Sequence, residues 1–217
     1  MKNQETILVL CAHNDDGVIG AGGTLAKYAQ EGKRVLTVIF SYGELSSPQL
    51  KPQVVKERRM REAIEADKII GGLGITYLGL REGHFEEDAA ERNIVAKLKY
   101  IIGKYKPNKV FTHSVDDPHP DHRACFHLSW RILKNYPKVE IYSFDIWNVL
   151  AIKNRNKPRM ISDISKFFRL KMTAFRAHQS QLRTPAVFLL FIKTFIKDSI
   201  NGIRYAKRFV EVFVRIQ

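Results

Sequence analysis

Two short stretches of the sequence concentrate the side chains able to do chemistry. In VLCAHNDDGVIGAGG (residues 9–23), His13, Asp15 and Asp16 stand between an apolar run and a glycine-rich turn. In THSVDDPHPDHRACFH (112–127), His119, Asp121 and His122 fall within four positions. Two imidazoles and one carboxylate can fill three positions around Zn²⁺ and leave a fourth for water, whose pKa the metal lowers towards ~7. A further carboxylate is then needed as base. Taken alone, HNDD also reads as ordinary capping, with Asp15 or Asp16 as the N-cap of a helix beginning near Val18. HPDH alone reads as a helix start, with Asp121 capping the segment from Arg123. Together, five or six converging ionisable groups would be expensive to desolvate without a metal or mutual pairing. A metal-assisted hydrolase site is therefore the expectation.

The elements that must position these groups are legible as alternating patterns. Short apolar runs at Thr6–Ala12, Arg34–Phe40, Ile75–Leu80, Lys109–His113 and Lys138–Phe144 read as strands. Between them, Asp88–Tyr105 shows helical recurrence at Ile94, Val95, Leu98, Ile101, Ile102 and Tyr105, stopped by Pro107. A second helix spans about Gln53–Ile70 and ends at Gly71-Gly72. Such alternation implies right-handed crossovers. The expected fold is a single-domain, Rossmann-like, doubly wound α/β unit, its mostly parallel sheet covered by helices on both faces. Ligands in such sheets bind outside the carboxyl ends of the strands, where both clusters fall.

At 217 residues and 45% hydrophobic content, the chain can bury a sizeable core as one domain, 1–217. Its motif-bearing part is about 5–182, followed by a basic helical segment, about 183–217. Cys11 and Cys125 suggest no disulfide framework and a reducing cytoplasm, with Cys125 read as core. The apolar run near the start, Ile7–Ala12, is too short for a signal peptide. The apolar window AVFLLFIKTFI (186–196) contains Lys193 and falls short of the ~20 residues of a membrane span. From residue 151 onward, fifteen Lys and Arg face three acids, Asp163, Asp198 and Glu211, which accounts for twelve of the net charge of +14. That basic third (151–217) could meet an anionic membrane surface, nucleic acid or an acidic substrate, or form a solvated face. Phe167, Phe168, Phe188, Phe191 and Phe195 read as core, or as the apolar side of an interfacial helix.

The run AHNDDGVIGAGGTLAKYAQEGKRV (12–35), then FSYGE (40–44), HPDH (119–122) and AHQSQ (177–181), resembles the LmbE-like (PIG-L) superfamily of zinc-dependent de-N-acetylases. The likeness covers roughly residues 5–182, with a weaker echo in RYAKRFVEVF. The family's opening motif is usually Ala-His-Pro-Asp-Asp-Glu. Here Asn14 replaces the proline and Gly17 the glutamate. The resemblance implies metal ligands His13, Asp16 and His122, a base at Asp15, and a transition-state histidine at His119, which Asp121 would hold and whose pKa it would raise. It also implies substrate contacts from Arg59, Glu82 and His178. For Arg59 and Glu62 an i, i+3 surface ion pair is the competing reading, and for His178 and Gln181 a buried structural role. His113 reads as a strand-end residue behind the site; His84 and His127 carry no signal.

The implied activity is removal of an N-acetyl group from an amino-sugar substrate or glycoconjugate. Zn²⁺ is the expected metal, with Fe²⁺ or Co²⁺ also suited to a His₂Asp set. The location would be cytoplasmic, with peripheral attachment to a membrane left open. The alternatives are a zinc amidase for a longer acyl chain or a non-sugar amide, and a nucleic-acid-binding module with a structural metal. Carboxylate ligands and a spare base argue against the last.

Overall fold

A computed structural model describes residues 4–148 and 158–217, so residues 151–157 at the start of the basic third lie outside the described residues. The chain runs β1 (Thr6–Cys11), α1 (Asp16–Gln30), β2 (Arg34–Ile39), α2 (Pro52–Ile70), β3 (Ile75–Tyr77), α3 (Phe85–Glu91), α4 (Ile94–Tyr105), β4 (Lys109–His113) and α5 (Pro120–Leu133). It continues with β5 (Glu140–Phe144), β6 (Arg159–Asp163), α6 (Phe168–Ala177), α7 (Gln179–Leu182), α8 (Pro185–Arg204) and β7 (Val210–Arg215).

One sheet takes the order β3-β2-β1-β4-β5-β7-β6. The first five strands are mutually parallel, whereas β7 lies antiparallel to both β5 and β6. β1 shows why the interior strands are continuous apolar runs. Ile7, Val9 and Cys11 enter the core under α1, while Leu8, Leu10 and Ala12 enter the opposite core under α4 and α5. Alternate side chains point to opposite faces, so a strand buried on both needs apolar residues throughout. A Cβ at Gly20 would enter the Phe144 ring, and glycine there lets α1 lie close against the sheet.

The doubly wound expectation holds, with three corrections. The helix expected over Asp88–Tyr105 is two helices, broken at Asn93, which sits in the left-handed region at φ 51°. Asparagine tolerates that conformation better than other residues with a Cβ, so the break interrupts an otherwise helical pattern. The segment 183–217 is not helical throughout: its helix ends at Arg204, and β7 inserts between β5 and β6. Among the five aromatics read as core, Phe168 is buried and Phe167 and Phe191 are partly buried, but Phe188 and Phe195 are exposed on α8. No helix among the described residues is long and apolar enough to cross a membrane.

Candidate active site

β1 and β4 are adjacent, and the chain leaves them towards opposite edges of the sheet, which opens a crevice at their carboxyl ends. His13, Asp15 and Asp16 follow β1 directly. The backbone N–H of His13 donates to Asp16 Oδ2 at 2.7 Å, and that of Ala12 to His113 Nε2 at 3.0 Å. Asn14, in the family's proline position, anchors the turn by its side chain. Its amide donates to the Tyr42 carbonyl (2.7 Å), and the Tyr77 hydroxyl donates to its Oδ1 (2.6 Å). Gly17 is buried at the start of α1, where a Cβ would point into the core and meet Cys11 Sγ at 3.0 Å. Asp15 does occupy the N-cap position of α1, though without a side-chain capping bond, whereas α5 is capped by His119 and not Asp121: the His119 Nδ1 accepts the Asp121 N–H at 3.2 Å.

The two clusters meet. His13, Asp16 and His122 offer donor atoms all within 4.8 Å of one another, and so do His13/His119/Asp121 and His113/Asp117/His122. The pocket wall distinguishes them. A cavity of about 150 Å³ is lined by His13, Asp16 and His122, joined by Asp15, Arg59, Glu82 and His119, but by none of His113, Asp117 or Asp121. The donor set that lines the pocket is therefore two imidazoles and a carboxylate, the chemistry that suits a divalent transition metal.

The electrostatics favour positive charge at this point. Burial opposes a charge on His13, but hydrogen bonds to Asp121 and Asp16 outweigh it and push the imidazole up to about 10. His122 is pushed up to about 9 because Asp16 and Asp117 overcome the same burial penalty. Burial would raise Asp16, yet His122 and His113 hold it well below the usual carboxylate range. His113 goes the other way, to about 4, through burial and the neighbouring His122 charge.

The structure corrects the expected His119–Asp121 pair. The Asp121 carboxylate turns to His13 Nε2 (3.2 Å) and to the Gly83 N–H (2.9 Å). Burial, then the charges on His13 and His122, lower the His119 pKa. Its Nδ1 is an acceptor, so the neutral ring carries its proton on Nε2.

Arg59 is only 3% exposed. Its Nη1 donates to the Gly43 carbonyl at 3.0 Å, and its Nη2 lies 3.4 Å from Asp15 Oδ1. Gly43 has φ 71°, and a Cβ there would strike the guanidinium. Glu62 forms no i, i+3 pair with Arg59. It accepts instead from Ser180 N (2.9 Å) and Oγ (2.6 Å), tying α2 to α7. Glu82 lines the pocket and accepts the Leu45 N–H at 2.9 Å. His178 is fully buried, is not on the pocket wall, and is pushed down to about 4 by burial; Gln181 of the same motif does line the pocket.

Sequence reasoning missed Asp117. Its carboxylate accepts from the backbone N–H groups of His119 (3.0 Å), Ile146 (3.1 Å) and Trp147 (3.2 Å), and lies 3.0 Å from His122 Nδ1. The one available signal was an additional aspartate two residues before His119.

A family model described as GlcNAc-PI de-N-acetylase, PIG-L, matches residues 8–133. A probable N-acetyl-alpha-D-glucosaminyl L-malate deacetylase 2 of Bacillus cereus is 28% identical over 189 residues, 81% of this chain and 83% of that protein. Among solved structures, the N,N'-diacetylchitobiose deacetylase of Pyrococcus horikoshii superposes with a TM-score of 0.78 at 23% identity, covering 99% of this chain and 85% of that one. The 4-carboxy-2-hydroxymuconate hydratase GalB of Pseudomonas putida KT2440 superposes with a TM-score of 0.81 at 20% identity, covering 99% and 97%. These structural likenesses show a shared fold. The matched span, residues 8–133, takes in more than half of the chain together with both His/Asp clusters, and the chain therefore belongs to the PIG-L, or LmbE-like, family.

Proposed function

We propose that this chain is a metal-dependent hydrolase that removes the N-acetyl group from an amino-sugar-containing substrate, releasing acetate and a free amine. The observation that carries the reading is one small pocket whose wall combines the donors His13, Asp16 and His122 with two groups outside that set, Asp15 and His119. A divalent cation held by the three donors, Zn²⁺ first and Fe²⁺ or Co²⁺ as substitutes, supplies polarisation of the amide carbonyl and a water of lowered pKa.

The chain's own residues do the remaining work. Asp15 takes a proton from the attacking water and, as the C–N bond breaks, returns it to the departing amine. Arg59 fixes the Asp15 carboxylate from the side. His119, neutral with its proton on Nε2, donates a hydrogen bond to the carbonyl oxygen as that oxygen gains negative charge. Asp121 acts through His13 and not through His119. Glu82 and Gln181, both on the pocket wall, would offer hydrogen bonds to sugar hydroxyls. The small pocket volume, about 150 Å³, supports a short acyl group over a long chain. Two buried, unpaired cysteines fit a cytoplasmic enzyme.

The test is release of amine and acetate from a panel of N-acetylated sugars by wild type and Asp15→Ala, with metal content measured in parallel. About one metal per chain is expected in both proteins, with release by wild type alone. Metal without release from any sugar would overturn the substrate assignment. Absence of metal from both would overturn the site. Because the fold is shared with a hydratase, acetate appearing in step with amine is the readout that identifies amide hydrolysis.

A further inference from the structure

Helix α8 packs one face against the protein and leaves an apolar face uncovered. Val187 and Leu190 line the active-site pocket, while Thr194, Asp198 and Gly202 pack inward. Phe188, Leu189, Ile192, Phe195, Ile196, Ile200 and Ile203 are all exposed, Ile203 by 80%. At about 100° per residue these seven fall within one arc of about 140°, a continuous stripe along the helix. Part of the stripe forms the wall of a groove of about 500 Å³ whose floor includes Val212 and Val214 of β7. An exposed apolar surface of this extent marks an interaction site.

The charges bordering the stripe indicate what covers it. Along one edge run Lys193, Lys197 and Arg204, all on the groove wall. The ammonium groups of the first two are fixed there by the carbonyls of Ile146 (2.6 Å) and Asp145 (3.2 Å). Along the other edge, Arg169 and Arg176 of α6 line a second depression with Phe191, Ile192 and Phe195. Lys207 and Arg208 follow beyond the helix end and are exposed. Opposing charge is scarce. Of the three acids after residue 151, Asp198 and Glu211 are buried against Lys171 at 2.6 and 2.7 Å, which leaves Asp163 near the surface. Asp145, on the groove wall, is raised by burial.

We propose that the outer face of α8 docks on an anionic lipid bilayer, its apolar stripe entering the headgroup–acyl boundary while the flanking Lys and Arg meet lipid phosphates. A two-fold pairing of this face with its equivalent on a second copy would set the two cationic borders against each other. The proposal rests on the outside of α8, whereas the deacetylase reading rests on the pocket, so either can fail alone.

Co-sedimentation with vesicles tests it, using phosphatidylcholine alone and phosphatidylcholine mixed with phosphatidylglycerol. Wild type should pellet with the mixed vesicles at least about tenfold more than with phosphatidylcholine alone, and less as salt rises. Ile196→Glu and Ile203→Glu alter exposed positions, so their melting temperatures should match wild type while vesicle binding falls about tenfold. Wild type remaining in the supernatant with mixed vesicles would overturn the proposal, as would both variants pelleting like wild type. A wild-type dimer in light scattering that Ile196→Glu converts to monomer would assign the face to a second copy and overturn it too.

Discussion

Arg59 reaches across from α2 to stand 3.4 Å from Asp15 Oδ1, while its other terminal nitrogen is held by the Gly43 carbonyl. A guanidinium so enclosed is placed to orient the Asp15 carboxylate more than to grip a sugar. Arg59→Lys should therefore lower kcat by about 10- to 100-fold with KM and metal content little changed, as loss of positioning does. A raised KM with kcat intact would return Arg59 to the sugar-contact role suggested by the family motif.

Asp117 stands behind His122, 3.0 Å from its Nδ1, and its own pKa is pulled down to about 2 because the His122 interaction overcomes burial. Partners of this kind fix the ring and raise its basicity. Asp117→Asn is expected to weaken metal affinity by about 10- to 100-fold, read by competition with a chelator. Unchanged affinity would remove Asp117 from the support of the site.

In the core under α1, Lys171 is fully buried between Asp198 and Glu211. Removing the cation alone leaves two carboxylates without a counter-charge. Lys171→Met should cost about 3–5 kcal/mol in denaturant unfolding, and adding Asp198→Leu should recover part of that loss. Equal stability of Lys171→Met and wild type would show that the charges are not coupled.

Asp67 is raised by burial to about 6, only partly offset by the Gly74 N–H it accepts at 3.0 Å. The sign follows from proton uptake: the folded state holds this proton more tightly than the unfolded state. The associated stability is present below pH ~4 and lost as pH climbs through about 6. Asp67→Asn keeps an acceptor for Gly74 without the charge. It should match wild type near pH 4 and exceed it by about 2 kcal/mol at pH 7.5; a gap that stays constant across this range would contradict the assignment.

The parts legible in sequence were those dictated by local pattern. β1 announces itself because burial on both faces demands an unbroken apolar run, β2 and β4 through shorter β-branched and aromatic runs, and the His/Asp clusters because they follow directly on strand ends. Long-range pairings were not legible. Nothing in HPDH tells that Asp121 turns to His13 instead of His119, since that choice depends on a residue 108 positions away. β7 was hidden because Glu211 interrupts what would otherwise be a continuous apolar run; the charge is explained only by partners on α1 and α6. Asn93 concealed a helix break within good helical periodicity, through a backbone angle that no apolar spacing records.

That same glutamate has a consequence for how the protein is made. Glu211 accepts the backbone N–H groups of Gly23 and Thr24 across a separation of 187 to 188 residues, and it also neutralises Lys171. A nascent chain folds from its N-terminal side as it leaves the ribosome. The helix carrying Asp16 emerges early, but its inner surface lacks a carboxylate until residue 211 has cleared the exit tunnel. Full consolidation of α1 is thus expected late in biosynthesis, once β7 can supply Glu211.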